Sequence, residues 1–232
     1  MKIFCLLLGL CLLVRVVPAQ TPDGDLANLP QAKDYLEKRS SSYDQSGGNA
    51  DARPIAPGAT LTLLDTDGPA VVSHIWITIA SSDPNHLKAL VLRMYWDNEM
   101  RPSVETPIGD FFGLGLGTYF LYESSPLSVG SAQALNCFFP MPFQKHGRVT
   151  ITNEGSQKTD SFYFNIDYRS YSKPLPSDQL YFHAQYRQAA PAKGWTNDWK
   201  GNEDPVVNDR KNLDGQAITS GWKLRGAAIS SV

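Results

Sequence analysis

SHIWITI, residues 73–79, alternates with a period of two: His74, Trp76 and Thr78 stand against Ile75, Ile77 and Ile79. Residues two apart on a strand share a face, so the segment has one face for a core and one for a mixed surface. Similar short runs rich in β-branched and aromatic residues lie on either side of it. They are TLTLLD (60–65), the longer AVVSHIWITI (70–79), KALVLRMYW (88–96), GRVTITNE (147–154) and SFYFNIDY (161–168). Turn-forming clusters separate them: DGP, SSDPN, NEG and KPLPSD. Short strands punctuated in this way predict an all-β sandwich. No long amphipathic helix follows the first forty residues. A short helix is predicted over residues 25–39, entered or broken at Pro30, with Asp25 available as its cap. Residues 40–53 are polar and Gly-rich and predict a loop.

Composition narrows the classes. Lys2, an apolar run over residues 3–14 and the Val17-Pro18-Ala19 site before Gln20 predict an export signal over residues 1–19. Cleavage after Ala19 would leave a secreted or periplasmic protein; a retained N-terminal anchor is the competing reading. Of three cysteines, Cys5 and Cys11 lie in that segment, which leaves Cys137 without an internal disulfide partner. Cys137 sits in an apolar run and reads as a small buried hydrophobe. The net charge is −2, and the basic residues do not cluster with aromatics, so nucleic acid is not expected as a partner. No cofactor motif is present, and no metal site is assigned.

The chemistry concentrates in RMYWDNEMRPSVETPIGDFFGLGLG, residues 93–117. Tyr95, Trp96, Phe111 and Phe112 are mixed there with Asp97, Glu99, Glu105 and Asp110. Aromatic faces cover the apolar face of a sugar ring, and carboxylates accept its hydroxyl protons. A carbohydrate-binding cleft is one reading, and an acidic hairpin with a tucked aromatic pair is the other. On a strand, Asp97 and Glu99 would share a face. Asp110, flanked by Gly109 and Phe111-Phe112, is a candidate sugar contact or a turn cap. In YFHAQYR, His183 and Arg187 alternate with Gln185, which suits either a sugar cleft or a solvated or interdomain face. Tyr43 and Asp44 sit in the SYDQSGGN loop, as possible cleft residues or as a plain Asx turn.

Five stretches, in order, carry a family resemblance: RSSSYDQSGGNAD (39–51), DGPAVVSHIWITI (67–79), the YWD…PSVE.P.GDFFG segment, NCFFPMPF (136–143) and LYFHAQYR (180–187). The sequence resembles, over about residues 26–215, the domain-of-unknown-function 2961 family, grouped as glycoside hydrolase family 172. The resemblance implies a jelly-roll β-sandwich, retaining chemistry on furanosides such as α-D-fructofuranose or α-D-arabinofuranose linkages, and a symmetric homo-oligomer for intact members. A furanoside-containing carbohydrate is the implied partner. The substrate-binding candidates are Tyr43, Asp44, Asp110, Phe111, Phe112, His183 and Arg187.

On this reading the chain divides into an export signal (1–19), an N-terminal helix and polar loop (20–53), a first jelly roll (54–172), the start of a second (173–216) and a tail (217–232). The family's catalytic glutamates belong to a GEGD-like segment and a later G-T-[ES]-D-Y-F-like segment of the second jelly roll. Neither occurs here, so no catalytic residue is assigned and the chain is expected to be inactive, a truncated relative of the enzymes. A binding module without hydrolysis and an unstable pseudogene product are the alternatives. Codons compatible with AITSGWKLRGAAISSV, read with one added G, give GNYVWLEAEGRGHFVG, a strand of the kind the family carries there. The tail is therefore expected to be a frameshift product.

Overall fold

The alternation at residues 73–79 becomes a central strand in which Ile75, Ile77 and Ile79 are buried while His74, Trp76 and Thr78 stay half-buried on the opposite face. A computed structural model describes residues 30–188 together with 223–224 and 227–228. The chain separates into two units, Met1–Lys33 and Asp34–Val232. Of the first, only residues 30–33 are described, as turn and irregular chain.

In the second unit the elements are β1 (Tyr35–Ser41), β2 (Thr60–Asp67), β3 (Ala70–Ser81), α1 (His86–Ala89), β4 (Leu90–Trp96), β5 (Val104–Pro107), α2 (Ile108–Phe111), β6 (Tyr122–Glu123), β7 (Leu127–Val129), β8 (Leu135–Cys137), β9 (Met141–Phe143), β10 (His146–Asn153), β11 (Thr159–Tyr171) and β12 (Ala184–Gln185). One sheet has the order β1-β11-β3-β8-β7-β6, with β9 also on β3, and the other has the order β12-β5-β4-β10-β2. All these pairings are antiparallel except that of β12 with β5. The fold is an all-β sandwich.

The inner faces meet in one hydrophobic core. Ile75 and Ile77 of β3 and Phe162, Phe164 and Ile166 of β11 come from one sheet; Leu92, Met94 and Trp96 of β4 with Val149 and Ile151 of β10 come from the other. Cys137 is buried in this core as a free thiol, and burial pushes it up to about 11. Burying such aliphatic and aromatic side chains contributes about 1.5–3 kcal/mol each, which makes this layer the main source of stability.

In the described part of the predicted N-terminal helix, residues 30–34 are turn and irregular chain and residues 35–39 are strand. Residues 34–39 leave irregular chain and enter β1, which pairs with β11 from Tyr35↔Tyr171 to Ser41↔Asn165. Contacts made far along the sequence decide this: Arg39 donates to both oxygens of Asp167 at 2.6 and 3.0 Å, and Ser73 donates to Glu37 at 2.9 Å. Such tertiary partners outweigh a weak local helix preference. Residues 25–29 of that segment and the expected export signal lie outside the described residues.

Of the predicted loop at residues 40–53, residues 42–53 are irregular apart from turns, whereas Ser40 and Ser41 end β1. The predicted break near residue 172 coincides with the end of β11 at Tyr171. Beyond it, the chain to residue 188 stays in the same unit, and β12 adds to the edge of the five-stranded sheet. The tail lies outside the described residues except for a two-residue ladder, Lys223–Leu224 with Ala227–Ala228.

Candidate functional site

The VETPIGDF run builds one side of a cleft. β5 ends at Pro107, whose extended backbone leads directly into the single turn of α2. Gly109 lies against α1, where an added Cβ would come within 2.9 Å of the Leu87 Cβ and 3.0 Å of the Leu87 carbonyl. Only a residue without a side chain lets the two turns approach this closely. The approach brings Lys88 of α1 to Asp110 of α2, where Nζ donates to both carboxylate oxygens at 2.8 and 2.7 Å. Phe111 follows, edge-on to Phe112 at 5.0 Å between ring centroids.

The opposite side comes from residues 182–187. Phe182 meets Phe111 edge-on at 6.4 Å and Phe139, from the β8–β9 connection, at 5.2 Å. Between the sides lies a cleft of about 380 Å³. Thr106, Asp110, Phe111 and Phe139 line it, together with Phe182, Ala184, Gln185, Tyr186 and Arg187. The Tyr186 ring centroid is 5.6 Å from Lys88 Nζ. This is an aromatic cleft with hydroxyl, amide, carboxylate and guanidinium groups at its surface, able to stack on a ring and exchange hydrogen bonds with its substituents. Asp110 is the only carboxylate among its lining residues.

Of the residues singled out by sequence, Asp110, Phe111 and Arg187 come together here. Phe112 does not: it is fully buried in the core, and its carbonyl accepts a hydrogen bond from the Tyr122 hydroxyl at 2.7 Å. His183 is exposed and lies outside the lining, although Gln185 and Arg187 of the same exposed row line it beside the half-buried Phe182, Ala184 and Tyr186. Tyr43 and Asp44 lie in the loop after β1, also outside the lining. Asp44 closes its own loop by accepting from the N–H and hydroxyl of Ser46 and from Ala50 N–H. These bonds, the Ser46 hydroxyl first, hold its carboxyl below the ordinary range. Thr106, Phe139, Phe182 and Tyr186 line the cleft and Lys88 holds its carboxylate, but the sequence singles out none of them. The alternation over residues 182–186 could mark Phe182 and Tyr186; nothing local marks the other three.

The remaining acids are structural. Asp97 and Glu99 do not share a strand face. Asp97 and Asn98 have φ of 54° and 68° in a tight turn closed by Glu99 N–H donating to Trp96 at 3.0 Å. Asp and Asn tolerate that left-handed backbone better than most residues. Asp97 Oδ1 accepts backbone N–H groups of Gln144, Lys145 and His146 at 2.9, 2.6 and 3.3 Å, and Oδ2 accepts the Tyr181 hydroxyl. Burial works to raise the Asp97 carboxyl, but the Tyr181 hydroxyl and the backbone donors together hold it below the ordinary range. The same hydrogen bond, then burial, pushes Tyr181 up to about 12. Glu105 is buried on β5 and accepts from Arg93 Nε at 2.8 Å, while Arg93 Nη2 donates to Glu154 at 2.6 Å. Among the described residues no group of three or more His, Cys, Asp or Glu side chains is placed to hold a metal.

The class defined by the described residues is an all-β sandwich with an aromatic cleft at one edge. The GH172 domain-like family matches residues 49–166, more than half of the chain, and the chain belongs to that family. It is a glycoside hydrolase-related protein. Among solved structures, it is similar at 9% identity and a TM-score of 0.32 to the crystal structure of the infectious bursal disease virus VP2 subviral particle. That likeness covers 61% of this chain and 34% of the viral one. No curated protein matches the chain.

Proposed function

We propose that the cleft between α2 and residues 182–187 binds a furanoside-containing carbohydrate, and that these 232 residues do so without hydrolysing it. The observation that carries the reading is the lining itself: four aromatic rings around a single carboxylate held by Lys88. The rings offer faces for the carbon side of a sugar, and Asp110, Gln185 and Arg187 offer acceptors and donors for its hydroxyls. Hydrolysis of a glycosidic bond requires a pair of carboxyl groups flanking it, about 5 Å apart for retention and roughly 6.5–9.5 Å apart for inversion. Glu105, the nearest acid in sequence, is engaged by Arg93 and lies outside the lining. Neither glutamate motif of the family occurs in the sequence.

Titration calorimetry with arabinofuranosyl and fructofuranosyl oligosaccharides tests the reading. Binding is expected, with Tyr186→Ala and Asp110→Asn each weakening it about tenfold or more, the effect of losing a stacking or charged hydrogen-bonding partner. Nitrophenyl α-D-arabinofuranoside should show no turnover above a heat-killed control. Turnover abolished by Asp110→Asn or Glu105→Gln would overturn the non-hydrolytic part, and undetectable binding of every furanoside would overturn the rest.

A further inference from the structure

The side of the cleft that carries Phe182 and Tyr186 is not held by a long ladder. β12 contributes two residues, and the chain leading to it, residues 172–181, is irregular and mostly exposed, with Leu180 at 81% and only Leu175 buried. Apolar seating comes from Leu175 and the half-buried Phe182 and Ala184, and the rest is polar. Beside the backbone bonds from Ala184 N–H to the Ser103 carbonyl and from Tyr186 N–H to the Glu105 carbonyl, four side-chain contacts are present. The Gln144 side chain behaves as a peptide group toward Leu175, with Nε2 donating to its carbonyl at 3.0 Å and Oε1 accepting its N–H at 3.1 Å. Trp96 Nε1 donates to the Phe182 carbonyl at 2.9 Å. The Tyr181 hydroxyl donates to Asp97, the carboxylate that also gathers three backbone N–H groups at the start of β10.

We infer that Asp97 and Tyr181 form a latch that positions the Phe182–Tyr186 side of the cleft, so that two residues outside the cleft set how tightly it holds its ligand. The inference rests on the carbohydrate reading given above. Its logic is one of adjacency: Phe182 directly follows Tyr181, and its ring bridges Phe111 and Phe139. Freeing residue 181 lets that ring drift from the two it touches, and a shallow stacking site tolerates little drift.

Tyr181→Phe keeps the ring and removes one hydroxyl, while the Asp97 contacts to β10 remain, so the sandwich stays folded. Hydrogen exchange followed by mass spectrometry should then show faster exchange over residues 180–187 and no change in β3 or β11. Affinity for the best furanosyl oligosaccharide should fall about fivefold, as expected for one lost hydrogen bond. Asp97→Asn replaces the charged acceptor with a neutral amide, which leaves at most a weaker hydrogen bond to Tyr181. It should act through the same contact, so the double variant should bind no worse than the weaker single one. Unchanged exchange at 180–187 in Tyr181→Phe would overturn the latch. Faster exchange with unchanged affinity, or strictly additive losses in the double variant, would overturn the positioning role. If the unaltered protein binds no furanoside, the carbohydrate reading fails, and exchange alone decides whether the latch exists.

Discussion

Arg93 shows how this protein uses charge inside a sandwich. Its guanidinium is shared between Glu105, on the neighbouring strand in direct register, and Glu154. Removing the cation strands a buried carboxylate, which costs more than the ion pair itself is worth. Arg93→Met should destabilise the fold by about 2–3 kcal/mol in urea denaturation, and restoring neutrality with Glu105→Gln in the same chain should recover part of it. Asp97 gives a pH signature. Its folded carboxyl lies below the ordinary value of 3.8, so its contribution is fully present above that value and is lost as pH falls through the folded value. Tyr181 stays protonated throughout this window, and Glu99 is the other acid acting on the pair. The stability profile of Asp97→Asn below about pH 4 should therefore be shallower than that of the unaltered chain. Asp110 and Phe111 were legible in sequence because an acid between Gly109 and a pair of Phe residues is an odd composition for either a core or a loop. Phe112 shared that composition and was misassigned, since adjacent residues on one turn point to different surroundings. Lys88 and Phe139 reach the cleft from other segments, and no local pattern announces such convergence.

Elements with strong alternation or a β-branched and aromatic composition are legible in the sequence, and elements defined by their partners are not. The five long runs read from the sequence correspond to β2, β3, β4, β10 and β11; β3 and β11 bury one face with a period of two, while β2, β4 and β10 interrupt it with adjacent buried residues and are marked by their β-branched and aromatic composition. β1 reads as helix because YLEKRSS has no buried stripe; it is an edge strand whose central residues are exposed. β5 is buried at all four positions and follows an acid-rich turn, so no alternation marks it. The contact between α1 and α2 belongs to this scale too. Gly109→Ala would drive a methyl group into the Leu87 side chain and carbonyl, and one turn of helix cannot absorb the shift without moving Lys88 from Asp110. A loss of about 1–3 kcal/mol is expected. Furanoside affinity should fall as well, whereas Gly58→Ala, at an exposed glycine that meets nothing within 4 Å but has φ of +75°, should affect stability alone.

At the scale of the whole molecule, sheet order departs from chain order. β11 lies between β1 and β3, and its ladder to β1 pairs Arg39 with Asp167, 128 positions along the chain. β10 likewise separates β2 from β4. Topologies dominated by such distant pairings fold slowly, since each closure must be made before its contacts stabilise anything. The strand order also acts as a clock. A ribosome that has just made β1 and β3 must still add the residues from 82 to 171 before their shared neighbour is complete, a wait on the order of ten seconds at ordinary elongation rates. Until then both strands are born without the edge that unites them, and β11 enters as a keystone. Nascent chains halted before residue 159 should therefore be digested readily by protease, and resistance should appear abruptly once residue 171 has left the exit tunnel.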